Sequence, residues 1–262
     1  MIDIHCHVLH GIDDGPGTLE ESLELCRKLQ QRGVSGIIAT PHFIGCESYM
    51  PLPEDIKYKV SLLQEEIHKE GIDIEIYPGM EVFASHDTAM KIQSGEILSL
   101  NNSRYVLVEF SFEIIPKYAS NLLFSMQVEG LVPIIAHPER YCSDYRKSEL
   151  LDELVDNGAL IQINAGSILG KHGKKARKEA IRLIRAGMVH FIASDSHGGR
   201  RVMSDKNEVE KRLARICGAE NAERLMYINP LRVVENKDIE RMTSVKRSFF
   251  LGGLFRNLKF NV

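Results

Sequence analysis

Short apolar runs rich in β-branched residues alternate with amphipathic stretches along the whole chain. Strands are predicted over residues 2–5, 36–39, 73–77, 105–109, 132–136, 159–163 and 190–194. Thr18-Leu19-Glu20-Glu21 has the form of a capping box, opening a helical pattern through Leu23, Cys26 and Leu29 that stops at Gly33. Further helices are predicted over 54–70, 117–129, 148–157 and 174–186. Strands that alternate with helices pair in parallel through right-handed crossovers. Continuous runs such as Val132-Pro133-Ile134-Ile135-Ala136 suit strands covered on both faces. No glycine-rich phosphate loop follows the first strand, so these βα units point to a closed or nearly closed barrel, with a doubly wound sheet as the alternative. No Pro/Gly/Ser linker or internal repeat divides the chain, which reads as one α/β domain over 1–262.

Composition changes this picture little. Hydrophobic residues are 44% and charged residues 26%, ordinary proportions for a globular chain. Lys+Arg 33 against Asp+Glu 36 gives a net charge of −3, which offers no footprint for nucleic acid. No run approaches the roughly 18 apolar residues of a membrane span, and no signal-peptide core follows Met1, so no stable membrane insertion is expected. Cys6, Cys26, Cys46, Cys142 and Cys217 are scattered and never spaced as CxxC, the usage of reduced thiols in a cytoplasm.

The chemistry lies at the carboxyl ends of the predicted strands. Strand one carries His5 and His7, with Asp13 and Asp14 in the following loop. The next strands lead to His42, Glu81, Glu109, His137 and Asn164, and the last to Asp195 and His197. In a barrel these ends converge on one face, where active sites sit. His5 and His7 are two apart on a strand and share a side, while Cys6 points the other way. Imidazole and carboxylate without thiolate suit Mn, Fe or Zn. Nine candidate ligands (His5, His7, Asp14, His42, Glu81, Glu109, His137, Asp195 and His197) exceed one ion's capacity, so two or three ions are implied, with a carboxylate such as Glu81 bridging. Four carboxylates against three divalent cations leave a charge of about +2, a host for a phosphomonoester dianion.

Ordered motifs along nearly the whole chain carry a family resemblance. His5-Cys6-His7, Ala39-Thr40-Pro41-His42, Pro78-Gly79-Met80-Glu81, Ala136-His137-Pro138-Glu139-Arg140 and Ser194-Asp195-Ser196-His197 resemble the metal-binding motifs of the PHP (polymerase and histidinol phosphatase) superfamily. With Asp13-Asp14-Gly15 and Val108-Glu109-Phe110, they are similar to one branch, the manganese-dependent tyrosine-protein phosphatases of bacterial capsule and exopolysaccharide operons. The resemblance implies a distorted (β/α)7 barrel of the PHP type with a trinuclear site. It assigns His5, His7, Glu81 and Asp195 to a first ion, Glu81, Glu109 and His137 to a second, and Asp14, His42 and His197 to a third. The implied cofactor is Mn2+, with Fe or Zn as alternatives. Arg140 matches the family arginine that contacts phosphate. The second arginine follows the Asp-x-His motif, where a short Ser196-His197-Gly198-Gly199-Arg200-Arg201 loop leaves Arg200 and Arg201 both as candidates.

The expected protein is then a cytoplasmic metal-dependent protein-tyrosine phosphatase. The resemblance implies a tyrosine-phosphorylated partner, the tail of a bacterial tyrosine kinase. A PHP phosphatase of a small metabolite such as histidinol phosphate is one alternative; a non-catalytic phosphotyrosine-binding regulatory module is the other. Acid assistance to a leaving phenolate would come from water or from His10. His68 and His190 read as structural, and His86 and His172 as loop residues. Cys26 and Arg32 have the spacing of a cysteine-phosphatase loop, but they lie within a helical pattern with no glycine between them, so the thiol reads as core. The tail 244–262 is basic and aromatic, either packing on the barrel or docking on an anionic surface.

Overall fold

The structure, a computed structural model, describes residues 1–45, 49–112, 115–141, 145–199 and 205–242, with the backbone alone at 145–148. Its strands are β1 (Ile2–Cys6), β2 (Gly36–Ala39), β3 (His42–Phe43), β4 (Glu75–Pro78), β5 (Glu81–Phe83), β6 (Tyr105–Glu109), β7 (Val132–Ile135), β8 (Leu160–Asn164) and β9 (Phe191–Ala193). The helices after the early strands are α1 (Leu19–Gln31), α2 (Pro53–Lys69), α3 (Thr88–Gln93), α4 (Ala119–Val128) and α5 (Tyr145–Asp156). Those that follow are α6 (Ala165–Leu169), α7 (Gly173–Arg185), α8 (Lys206–Cys217), α9 (Ala219–Glu223) and α10 (Asn229–Val234). Arg200, Arg201, Cys46, Cys142 and the tail 244–262 lie outside the described residues.

Every predicted strand and helix forms, each starting and ending within three residues of its expected bounds. At α1 the Thr18 hydroxyl accepts from Glu21 N and the Glu21 carboxylate accepts from Thr18 N, so both halves of the capping box are made. Gly33 ends the helix at a φ of +81°, a conformation that side chains with a Cβ disfavour.

The strands pair in parallel, in the orders β1-β2-β4 and β3-β5-β6-β7-β8-β9. Beyond β9 the chain returns to β1: Asp195 N donates to His5 O at 2.9 Å and His7 N to Ser196 O at 2.8 Å. The result is an α/β fold around a curled parallel sheet. Two short strands, β3 and β5, lie outside the expected runs, each following one of them after a gap. Pro41 has no N–H to give the ladder, and the chain resumes as β3 at His42. A Cβ on Gly79 would lie 2.9 Å from Ile38 Cγ2 and 3.0 Å from Leu100 Cδ2, so a side chain in the gap between β4 and β5 would force buried neighbours to shift. These breaks place His42 and Glu81 at the first positions of new strands.

Alternation sorts the side chains into two layers. Val106, Val108, Ile135, Ile161, Ile163 and Ile192 pack in the larger core that includes residues of the surrounding helices. Tyr105, Leu107, Ile134, Ala136, Phe191 and Ala193 form a second apolar cluster on the other side of the sheet. Extending these inward rows by one more step reaches Glu109 after Leu107 and Asp195 after Ala193. The apolar plug thus ends where the polar cluster begins.

Among the described residues no helix is long and apolar enough to cross a membrane. The helices α8 to α10 were not part of the sequence pattern set out above. There Asn229 donates to the carbonyls of His190 and Glu240, fixing the chain's last described turn beneath the amino end of β9.

Candidate metal centre

The nine residues singled out from the sequence converge on one place at the carboxyl ends of the strands. Glu81 is central and 1% exposed. Its Oε2 lies 3.3 Å from His5 Nε2, 3.4 Å from His7 Nε2 and 3.0 Å from His42 Nδ1, and its Oε1 lies 3.0 Å from His137 Nε2. Asp195 Oδ1 stands 3.6 Å from His5 Nε2 and 3.7 Å from His7 Nε2. Glu109 lies 3.6 Å from His137 Nε2 and 3.8 Å from His42 Nδ1. Asp14 Oδ1 is 3.5 Å from His42 Nε2 and 3.3 Å from His197 Nε2.

Second contacts aim the imidazoles. A carboxylate only accepts, so Asn164 Nδ2 donates to Asp195 Oδ2 (2.7 Å), and Asn164 Oδ1 accepts from Gln162 Nε2 (2.8 Å). That chain turns Gln162 Oε1 toward His5 Nδ1 (3.0 Å) and the backbone N–H of His137 (3.3 Å). His7 Nδ1 meets Asp13 Oδ2 at 2.7 Å, and His197 Nδ1 meets the Asp195 carbonyl at 3.1 Å. Each of these three rings therefore donates through Nδ1 and turns Nε2 toward the cluster, where a cation that displaces its proton would find the lone pair, the arrangement that orients metal-ligating histidines.

The donor set fits divalent ions. At the cluster, Glu81 Oε2 and His42 Nδ1 are buried atoms that complete no hydrogen bond. The short N···O approaches at Glu81 Oε2 thus point ligand atoms at shared space rather than at one another. Three overlapping groups have their ligand atoms within 4.8 Å of one another: His7, Asp14, His42 and His197; His5, His7 and Glu81; His42, Glu81 and Glu109. All donors are nitrogen or oxygen, which suits Mn, Fe or Zn.

Charge and strain mark the same spot. Burial alone would raise the Glu81 pKa, but the histidines around it hold it well below the ordinary carboxylate range. Burial would lower the His5 pKa, yet Glu81 and Asp195 push it up to about 9. Protons thus compensate the carboxylates here, and cations would compete for the same positions. Burial and the Glu81 charge raise the Glu109 pKa. His137 and Asp195 have φ of 33° and 53°, left-handed conformations that cost of order 1–3 kcal/mol each in residues with a Cβ.

Arg140 stands at the rim. Its Nη1 is 3.2 Å from Asp195 Oδ2, and its guanidinium lies 4.6 Å above the centre of the Phe112 ring. The neighbouring Glu139 is no partner for it: that carboxylate turns inward, fully buried, and accepts from Asn164 N and Ser167 Oγ. Phe112 also stacks on His137 with 5.7 Å between ring centres, while 47% of it stays exposed.

Asp13, Gln162 and Ser167 had no role assigned from the sequence. A glutamine and an asparagine two apart inside the apolar strand β8 were the available signal. His172, read as a loop residue, bonds Ser167 Oγ at 2.9 Å. His10 lies apart from these interactions, its carbonyl accepting from Lys59 Nζ. His68 lies 3.2 Å from Gln64 on α2, and His86 packs against Tyr118.

Comparison with known proteins agrees with this geometry. The family described as "Capsular polysaccharide synthesis, CpsB/CapC" matches residues 1–235, and the chain belongs to that family. Tyrosine-protein phosphatase YwqE of Bacillus subtilis is 38% identical over 197 residues, spanning 75% of this chain and 77% of the relative. Tyrosine-protein phosphatase CpsB of Streptococcus agalactiae serotype III is 34% identical over 243 residues, spanning 90% and 99%. A solved structure from work on YwqE of Bacillus subtilis and CpsB of Streptococcus pneumoniae, described as unique metal-dependent tyrosine phosphatases, superposes with a TM-score of 0.87. It has 35% identity and covers 92% of this chain and 97% of the other. The phosphotriesterase of Mycobacterium tuberculosis shares the fold alone, at a TM-score of 0.54 and 12% identity.

Proposed function

We propose that this protein is a metal-dependent protein-tyrosine phosphatase that serves capsule or exopolysaccharide synthesis. The observation that carries the proposal is the convergence of four histidines on the two oxygens of one buried carboxylate, Glu81, beneath the exposed guanidinium of Arg140. His5, His7, Glu81 and Asp195 would hold one ion; Glu81, Glu109 and His137 a second; Asp14, His42 and His197 a third. His42 also reaches the second group through Glu81. Manganese is the proposed metal. Bound divalent cations supply a lowered pKa for water and neutralise charge that develops on phosphoryl oxygens.

The chain's own residues do the rest. Arg140 offers parallel N–H donors to a phosphate, a geometry that lysine lacks. Phe112 supports the guanidinium from one side and leaves part of its ring open at the rim, where the phenyl group of phosphotyrosine can pack. Gln162 and Asp13 hold His5 and His7 in one tautomer, so that neither ring rotates out of register. Arg200 or Arg201 supplies a second phosphate contact. With β2 and β3 counted as one broken strand, and β4 and β5 as another, the strands make a distorted (β/α)7 barrel of the PHP type, one domain over the whole chain. The proposed setting is the cytoplasm, and the proposed substrate is the tail of a bacterial tyrosine kinase.

The test is metal analysis of the purified protein alongside hydrolysis of a phosphotyrosyl peptide and of histidinol phosphate, with and without chelator. The expected result is two or three divalent ions per chain, preference for the peptide, loss of turnover on chelation and best recovery with manganese. Full activity in a metal-free protein overturns the proposal. Preference for histidinol phosphate moves it to a metabolite phosphatase, and binding of phosphotyrosine without turnover reduces it to a recognition module.

A further inference from the structure

A groove of about 360 Å³ runs between α6, α7 and α8. Ile168 and Leu169 form its apolar floor, and Arg177, Lys211, Arg212 and Arg215 line it against a single acid, Glu208. None of the four cations has an ion-pair partner among the described residues, whereas Arg182 on the same helix pairs with Glu179 and Lys206 on α8 with Glu210. Arg177 Nε is a buried donor with no acceptor. The Arg177 stem folds back toward Gly170 at the end of α6, with its Cδ 3.4 Å from where a Cβ there would sit. Past Arg177 the positive surface continues along α7 through Lys174 and Lys178. A chain with a net charge of −3 thus gathers unpaired cations around one apolar-floored groove.

The groove is close to the reaction site. α6 begins directly after Asn164, whose side chain holds Asp195. Ile168 is four residues further on, about 6 Å along a helix. An extended peptide advances about 3.3 Å per residue, so a stretch of a few residues flanking a bound phosphotyrosine is long enough to follow α6 into the groove.

We propose that this groove docks an acidic segment of the protein substrate, flanking the phosphotyrosine. The inference rests on the phosphatase reading above and adds a substrate feature to it. Carboxylates would pair with the cationic side chains of Arg177, Lys211, Arg212 and Arg215, and the apolar floor would take the side chains between them.

The test uses two synthetic phosphotyrosyl peptides, identical around the phosphotyrosine, one with a run of Asp and Glu in the distal segment and one with Ser and Gly there. The expected wild-type result is a kcat/KM about tenfold higher for the acidic peptide, lost near 1 M salt, where screening acts within about 3 Å. In Arg177→Glu/Arg212→Glu the preference disappears through KM, while kinetics on p-nitrophenyl phosphate stay at the wild-type level. Arg177→Gln/Arg212→Gln gives the same direction should the reversed charges disturb folding. Anisotropy of the labelled, unphosphorylated acidic peptide reads binding without turnover, so a failure of the phosphatase reading leaves this test intact. Equal kcat/KM for the two peptides with equal binding overturns the proposal. So does a variant whose only loss is binding to vesicles containing anionic phospholipid, which would make the groove a membrane contact.

Discussion

His5, His7, His42, His137 and His197 stand at the carboxyl ends of the strands; His190 stands at the amino end of β9. The residue type is the same and the surroundings are opposite. His190 is 5% exposed, its Nδ1 accepts from Ile161 N at 3.1 Å, and its carbonyl accepts from Asn229. Burial, reinforced by Arg241, pushes its pKa down to about 4, so the ring is a neutral acceptor in the interior. At the other end, carboxylates push the His5 pKa up to about 9, and Glu81 Oε2 and His42 Nδ1 complete no hydrogen bond. The backbone differs too, since His137 and Asp195 hold left-handed conformations. A satisfied polar group stabilises a fold, whereas unpartnered buried polar atoms and strained backbone gathered at one place mark a candidate functional site.

Removing the centre of that cluster is the most severe test. Glu81→Gln keeps the side-chain volume but removes the charge shared among four histidines. Turnover of a phosphotyrosyl peptide is expected to fall about a thousandfold or more, with fewer ions bound per chain, because the nucleophile and charge stabilisation are both lost. Metal analysis and steady-state kinetics on the folded variant check it. Wild-type turnover with full metal content would place the chemistry elsewhere.

Arg140→Lys probes the rim of the same end. Lysine keeps the charge and loses the parallel pair of donors, so kcat is expected to fall about tenfold to a hundredfold with a smaller change in KM. Loss of KM alone would make Arg140 a ground-state anchor. Unchanged kinetics would reduce its contact with Asp195 to a surface pair and shift the phosphate contact to Arg200 or Arg201.

The contrast between the ends was partly legible in the sequence. His190 opens a strand and the others close one, and strand direction alone assigned them to opposite sides. Short continuous β-branched runs marked the strands, and Thr18 with Glu21 marked the start of α1. The short strands β3 and β5 escaped: at Pro41 only the missing N–H was legible, and the packing around Gly79 comes from Ile38 and Leu100, distant in sequence, so it depends on what lies across the sheet. The roles of Gln162 and Asp13 escaped for the same reason. A polar residue inside a strand signals a buried hydrogen bond, but its partner belongs to another strand, and only the fold brings Gln162 beneath His5 and His137.

At the quiet end, His190→Asn tests stability rather than activity. Asparagine Oδ1 can still accept from Ile161 N. The wild-type ring has a pKa of about 4 in the folded state against 6.5 unfolded. The unfolded chain therefore binds more protons between those values, and this contribution, complete above pH 6.5, is lost as pH falls toward 4. From pH 7 to pH 5 the wild type should lose about 2 kcal/mol through this ring. The variant should lose less by that amount, with turnover near wild type at pH 7. Denaturant melts of both proteins at the two pH values give the difference, in which the titration of every other group the two proteins share cancels. Parallel pH dependence in the two would mean that His190 is not the neutral, buried acceptor described.

Cys26→Ser carries the smallest expected effect and closes the rival chemistry. Cys26 lies in the middle of α1 with no exposed surface, and burial pushes its thiol up to about 12. A nucleophilic cysteine needs the opposite, a lowered pKa and backbone N–H groups wrapped around the phosphate. Here the residues from Cys26 to Gln31 are helical, and their N–H groups are committed to the helix. Serine should leave turnover unchanged and lower stability by about 1–3 kcal/mol, the penalty for a buried hydroxyl in a thiol's place. A folded variant with abolished turnover would put the nucleophile on α1, and the cluster around Glu81 would then be left without a catalytic task.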